Sequence, residues 1–295
     1  MSARVDFIAL LRRATGPMLL AAIAALCVPA QAAGIAMVTD LQGKASTASE
    51  GRSRDLTILA ELDAGTVVQL GAGGTLVALY LDTGDEYVFK GPAAIDFRPG
   101  QPLVQSGAKP ERRNLALGKG AKDIRIKPVG IAQGAMVMRS TRGDAHIQLL
   151  SPNRTRTLDA QPEFLWSAPQ PDLKYGFSLD DETGRLVYET QVTATSLKLP
   201  AGVQLKEGMP YTWRVSATLP GGRRYSSFAE FAIAPGDVRA QAEALRPAAS
   251  APLSARIAYA AWLDQMDLLD EARKYWKLAA AERPDDTRLK ALAAQ

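Results

Sequence analysis

The sequence predicts a mainly β protein that ends in an α-helical hairpin. Three observations carry this. Between residues 34 and 235, short apolar runs recur about every ten residues and are cut by glycine, proline or aspartate. Several runs alternate strictly: Tyr211, Trp213, Val215 and Ala217 share one face, and Thr212, Arg214, Ser216 and Thr218 share the other. From residue 236 the apolar spacing changes to three and four, the period of a helix.

The 295 residues suffice for two or three domains, each with its own core. The 35 basic and 31 acidic residues leave a formal charge of only +4. Half of that charge lies in the first 32 residues, with Arg4, Arg12, Arg13 and Asp6. So small an excess argues against a nucleic-acid partner. The one cysteine is Cys27 and the one histidine is His146. If residues 1–32 are removed, disulfides, zinc–thiolate sites, iron–sulfur clusters and cysteine nucleophiles are excluded. A Ser-His-Asp triad would have to be built around His146.

Residues 1–32 read as a secretory signal peptide. Arg12 and Arg13 precede an apolar run over 18–28, Pro29 breaks it, and Ala30-Gln31-Ala32 is an A-x-A cleavage site. The run is short for a bilayer, which needs about 20 apolar residues. Leu26 before Cys27 does not fit a lipobox, and Ala14-Thr15-Gly16 does not fit a twin-arginine signal. The expectation is a cut after Ala32 and a soluble periplasmic protein, not a membrane-spanning one.

Residues 33–127 read as an all-β domain with a basic connector. Ile35, Ala36, Met37 and Val38 begin a strand that Gly43 ends. Thr66-Val67-Val68-Gln69-Leu70 is the next clear strand, closed by Gly71-Ala72-Gly73-Gly74. Residues 75–81 are nearly all apolar, Asp82-Thr83-Gly84-Asp85 turns the chain, and Glu86-Tyr87-Val88-Phe89-Lys90 returns as a hairpin that Gly91-Pro92 stops. The stretch resembles the FecR-like domain family. The matching residues are Val38-Thr39-Asp40-Leu41-Gln42-Gly43-Lys44-Ala45, Leu62-Asp63-Ala64-Gly65-Thr66-Val67-Val68, and the hairpin over 76–89 with Gly91-Pro92. The resemblance covers about a third of the chain and implies a bacterial extracytoplasmic β-domain used in binding or signalling. Signalling members of that family carry a cytoplasmic segment and a membrane helix, where this chain has a cleavable leader.

Two features of this region suggest chemistry. Asp82-Thr83-Gly84 is the triplet of aspartic proteases, which need two aspartates sharing one proton. The chain has no second D-T-G or D-S-G triplet, so a protease would require a homodimer. A hairpin turn whose glycine takes positive φ is the plainer reading. Lys109, Arg112, Arg113, Lys119, Lys122, Arg125 and Lys127 then cluster, with Glu111 and Asp123 among them. They offer an anion site or, more simply, a solvated linker or strand edge. No aromatic residue is interleaved to stack on bases.

Residues 128–235 read as a β-sandwich. The expected strands hold Ala135 to Arg139, Ala145 to Leu150, Phe164 with Trp166, Tyr175 with Phe177 and Leu179, residues 185–188, Leu197 with Leu199, Tyr211 to Ala217, and Tyr225 to Ile233. Phe164-Leu165-Trp166, Leu173-Lys174-Tyr175-Gly176-Phe177 and Leu205-x-x-Gly208-x-x-Tyr211-Thr212-Trp213-Arg214-Val215 resemble a fibronectin type III or immunoglobulin-like module. Such modules present edges and loops to partners. Trp166 and Trp213 would stack on sugars or, on their alternating faces, fill the core. His146 is expected on a strand between Ala145 and Ile147, with no orienting carboxylate or nucleophile in evidence.

Residues 236–295 read as a helical tail. Gly236-Asp237 is expected to cap a helix reaching Leu245, and Pro247 to end it. Ile257, Ala260 and Leu263 line one side of the next helix, with Tyr259 beside them; Leu268, Leu269, Ala272, Tyr275, Trp276 and Ala279 line another. Ala260, Leu263, Ala272, Trp276, Ala279 and Pro284 resemble one tetratricopeptide repeat, with Arg256 where tryptophan is common and Asp267 where glycine is. One repeat cannot bury both faces, so the pair must pack on the segment 287–294, on the sandwich or on another protein.

Taken together, these features describe a non-enzymatic, exported envelope protein that binds or scaffolds, with a protein partner expected and a glycan as the other candidate. No catalytic, cofactor or metal residue is assigned. One alternative is an accessory role in FecR-type envelope signalling; another is a hydrolase built on paired Asp82 or on His146.

Overall fold

The computed structural model describes residues 34–49, 52–115, 146–167, 170 and 172–294. The signal peptide expected at 1–32, with Cys27, the strand expected at 135–139, and Lys119, Lys122, Arg125 and Lys127 lie outside the described residues. Within them the chain is mainly β, with four sheets followed by four helices.

The first pair of sheets uses β1 (Ala36–Gln42), β2 (Ala45–Ser49), β3 (Arg52–Asp55), β4 (Glu61–Leu62), β5 (Val67–Leu70), β6 (Thr75–Tyr80), β7 (Asp85–Lys90), β8 (Ala93–Phe97), β9 (Pro102–Ser106) and β10 (Glu111–Asn114). One sheet runs β10-β7-β6-β1-β4 and the other β3-β2-β5-β8-β9. Every pairing in both is antiparallel. Val38, Val68, Leu76, Ala78, Tyr80, Phe89, Ile95 and Phe97 form the core between them. The first sheet is covered on its other face too. Met37 and Leu79, paired across β1 and β6, point there into a second core shared with the helices. Hence residues 76–81 read as unbroken apolar sequence: a strand buried on both faces has no polar side. β2 and β3, with sequences ASTAS and RSRD, carry no apolar signal and escape sequence reading.

The second pair comprises β11 (Gln148–Ser151), β12 (Thr155–Thr157), β13 (Glu163–Ser167), β14 (Tyr175–Asp181), β15 (Leu186–Val192), β16 (Ser196–Lys198), β17 (Pro210–Thr218) and β18 (Arg224–Ile233). Sheets β11-β13-β16 and β12-β18-β17-β14-β15 face each other across an aromatic core. Phe164 sits at its centre, edge-to-face with Phe177 at 5.0 Å, Trp213 at 5.2 Å and Phe231 at 5.4 Å. The indole N–H of the buried Trp213 donates to the carbonyl of Pro152 at 2.7 Å.

The helices are α1 (Gly236–Leu245), α2 (Leu253–Gln265), α3 (Leu269–Glu282) and α4 (Thr287–Ala293). Pro235, not Gly236 or Asp237, occupies the α1 cap; Asp237 sits in the first turn, where the helix dipole favours it. The expectation of a single apolar side on α2 needs correction, because every residue from Ser254 to Leu263 except Arg256 is buried. The first sheet covers α2 with Met37, Leu79 and Leu81, α1 with Ala242, and α3 and α4 with Ala272, Trp276, Ala279, Leu289 and Leu292. A helix enclosed on all sides is apolar nearly all round. Asp267, at the position where the repeat favours glycine, has φ +59°.

Polar ties lead from the helices to both pairs of sheets. Arg283 forms an ion pair with Asp40 at 2.6 Å and donates to the Leu41 carbonyl, and Arg288 donates to the Ile58 carbonyl at 3.0 Å. On the other side, the Leu269 N–H donates to Thr155 Oγ1 at 2.9 Å, and Ser151 donates to Asp270 at 2.7 Å. The helical hairpin therefore packs on its own chain, and residues 34–295 form one compact unit. None of the described helices is long and apolar enough to cross a membrane, which says nothing of spanning by strands.

Candidate functional site

The solvent face of the larger sheet in the second pair carries the most distinctive surface. Along β17 the inward residues are Tyr211, Trp213, Val215 and Ala217, so Thr212, Arg214, Ser216 and Thr218 point outward. Register then sets their neighbours. Glu189, Ser178, Arg214 and Phe228 form one row across β15, β14, β17 and β18. Gln191, Gly176, Ser216 and Ser226 form the next row, and Thr218 opposes Arg224 at the end. With strands ~4.8 Å apart, each row spans roughly 14 Å.

The face is hollowed into a groove of about 480 Å³, with Lys174, Glu189, Arg214 and Arg224 among its lining residues. Gly176 helps keep the floor low: a Cβ there would come within 3.2 Å of the Ser216 hydroxyl. No described carboxylate pairs with Lys174, Arg214 or Arg224, so three cations face one anion, Glu189. Phe228, 67% exposed beside Arg214, is the one exposed aromatic among the described residues. The β14–β15 turn is fixed by Asp181, which accepts from the Thr183 hydroxyl at 2.6 Å and from the Arg185 side chain at 3.1 Å. The Thr183 bond is the main reason its carboxyl titrates at about 2.

Asp82 lies exposed in the β6–β7 turn, where Gly84 has φ +71° and its N–H donates to the Tyr80 carbonyl at 2.9 Å. The triplet thus serves the turn geometry. Its threonine hydroxyl accepts from the Asp85 N–H at 3.2 Å. The next two residues are buried carboxylates. Asp85 accepts from Arg112 at 2.8 Å and from Asn114 at 2.9 Å; Glu86 lies 3.7 Å from Arg113 and bonds the Ser254 hydroxyl on α2. Burial alone would raise the Asp85 pKa, but the bonds from Arg112, Asn114 and Thr83 outweigh it and hold the carboxyl below its usual range. The described part of the basic connector is therefore the edge strand β10, with Arg112 and Arg113 engaged by the fold. Arg112 and Lys109 also line a groove of about 580 Å³ beside Tyr87 and Pro102, where only Lys109 is left to attract an anion.

His146 is exposed and precedes β11, which begins at Gln148, so the expectation of a strand position is corrected by two residues. Trp166 and Trp213 are buried in the core and not available to stack on a sugar. Among the described residues, no three of His, Cys, Asp and Glu gather closely enough to hold a metal ion. Arg214 lies on the polar face that alternation predicts for its strand, but nothing along the chain connects it with Arg224, Lys174 or Phe228. Those residues meet only through strand register, and their one sequence signal is a phenylalanine at an outward position of an alternating strand.

No curated protein matches the chain. Among solved structures it is similar to that of CopC from Methylosinus trichosporium OB3b, at 22% identity and a TM-score of 0.24, over 31% of this chain and 96% of that one. The model of the family described as Domain of Unknown Function (DUF928) matches residues 132–279. That match spans half of the chain, from ahead of the sandwich strands into α3, and the chain belongs to this family.

Proposed function

We propose that this chain is an exported bacterial envelope protein that works by binding or scaffolding, not by catalysis. In this reading a FecR-like first pair of sheets and an immunoglobulin or fibronectin III-like second pair are held together by the helices, and the body presents the open sheet face to a partner. The observation that carries it is the groove over Gly176, lined by three cations without described carboxylate partners, with the exposed Phe228 beside Arg214 on the same sheet face. Guanidinium groups outside ion pairs and an exposed aromatic are the residue types that dominate recognition surfaces.

Tyr211 supports the finer fold assignment. Its hydroxyl accepts from the Lys206 N–H at 2.8 Å, five residues upstream, as in the tyrosine corner of immunoglobulin-like sandwiches. The enclosure of α2 argues against that helix of the repeat-like hairpin as the docking element, since its faces are already occupied.

Fractionation of cells expressing the full chain, with N-terminal sequencing, tests the export half: a periplasmic protein starting at Ala33 is expected. In-cell crosslinking tests the binding half, with envelope components recovered from the wild type and depleted in an Arg214→Ala/Arg224→Ala variant. A chain that stays cytosolic with residues 1–32 attached would overturn the first. A crosslinking pattern identical in wild type and variant would overturn the second.

A further inference from the structure

We infer that the groove over β14, β15, β17 and β18 binds a carboxylate-bearing polysaccharide, an inference that rests on the binding reading above and names its ligand class. Charge comes first. Lys174, Arg214 and Arg224 against Glu189 leave the groove positive while the chain as a whole is nearly balanced. Guanidinium forks match carboxylates in geometry as well as sign.

The rest of the surface selects a sugar over other anions. Ser178, Gln191, Ser216 and Thr218 offer neutral hydroxyl and amide groups between the cations, as hydroxyl-rich rings require. Phe228 adds an exposed ring at one end of the Arg214 row, where the apolar face of a sugar can lie. A nucleic acid would want several stacking platforms, and here one aromatic is exposed. An extended peptide would seek a backbone edge, whereas this floor is the side-chain face of strands already paired on both sides in β14 and β17. The rows span several strands, and the fixed β14–β15 turn keeps one end of the sheet from shifting, so a chain ligand meets a surface that needs little ordering.

Calorimetric titration of the full chain with hexagalacturonate and with a guluronate hexamer tests the inference, with neutral cellohexaose and hexaglutamate as controls. At least one uronate hexamer is expected to bind saturably, at least tenfold more tightly than either control, and to weaken as salt is raised. Arg214→Ala/Arg224→Ala is expected to weaken it about 100-fold, roughly tenfold for each guanidinium removed. Phe228→Ala is expected to weaken it about fivefold. All three side chains are solvent-facing, so the variants should keep the wild-type thermal midpoint, which is measured alongside. The inference is overturned if neither uronate binds, if cellohexaose or hexaglutamate binds as well, or if the double variant binds like wild type. It is separable from the broader reading. Failure of the titration leaves the crosslinking result standing, and a cytosolic chain that binds uronates removes only export.

Discussion

Asp85 and Asp40 show how burial and partners set the sign of a pH effect. Burial pushes the Asp85 carboxyl up, but Arg112, Asn114 and Thr83 hold its folded pKa below the ordinary aspartate value of 3.8. The stability it contributes is therefore present above the unfolded pKa and is lost as pH falls through the folded one. Asp85→Asn is expected to cost about 1–2 kcal/mol at pH 7. It should also flatten the fall of the thermal midpoint below pH 3.8; a midpoint series on both proteins measures it, and parallel acid limbs would sink the assignment. Asp40 runs the other way. Burial raises its pKa despite the Arg283 guanidinium, so the folded chain takes up a proton before the unfolded chain does. Lowering pH through that window adds stability, and raising it removes stability. Trp262, fully buried in α2 and stacked with Tyr259 at 6.1 Å, is a plain packing residue. Trp262→Ala should cost about 3–5 kcal/mol by denaturant titration.

Among the elements, α3 is the one whose start depends on a distant strand. Its cap residue, Leu268, makes no side-chain cap bond, and the first helical N–H, that of Leu269, is satisfied by Thr155 of β12 instead. A residue 114 positions away in sequence thus does the work of an N-cap. Thr155→Val should lower stability by about 1–2 kcal/mol, because a partly buried N–H is left without its partner. Raised hydrogen exchange at the first turn of α3 should accompany the loss, and unchanged exchange there would show that Thr155 is only filling space. By contrast, α4 is capped locally, by Asp286 accepting from the N–H groups of Arg288 and Leu289 at 2.9 Å each.

For the whole molecule, the helices act as a wedge with ties to both pairs of sheets. Removing residues 287–295 takes Leu289 and Leu292 out of the shared core and exposes the side of α3. Two buried leucines amount to about 5 kcal/mol or more, which corresponds to a drop of roughly 10–20 °C in thermal midpoint. Because Met37 and Leu79 of the first sheet belong to the same core, β-strand amides there should lose exchange protection together with the helices. Tryptophan fluorescence from the sandwich and the helices should report one shared transition in the full chain. Well-separated transitions would show that the second pair of sheets and the helices unfold independently and that the wedge does not couple them.

How much of this was legible beforehand depends on where each side chain finds its partner. The mainly β class, the alternation of Tyr211 to Ala217 and the helical ending followed from the order of residues alone, because strand and helix periods are local properties. Likewise local are the Asp82-Thr83-Gly84 turn and the glycine-like position that Asp267 fills. Short polar strands such as β2 and β3 carried no such signal, since only their neighbours make them strands. The enclosure of α2, the capping of α3 by Thr155 and the gathering of Arg214, Arg224, Lys174 and Phe228 on one face were decided by tertiary structure. Each joins residues far apart in sequence, and no pattern along the chain encodes which distant strand will lie beside which.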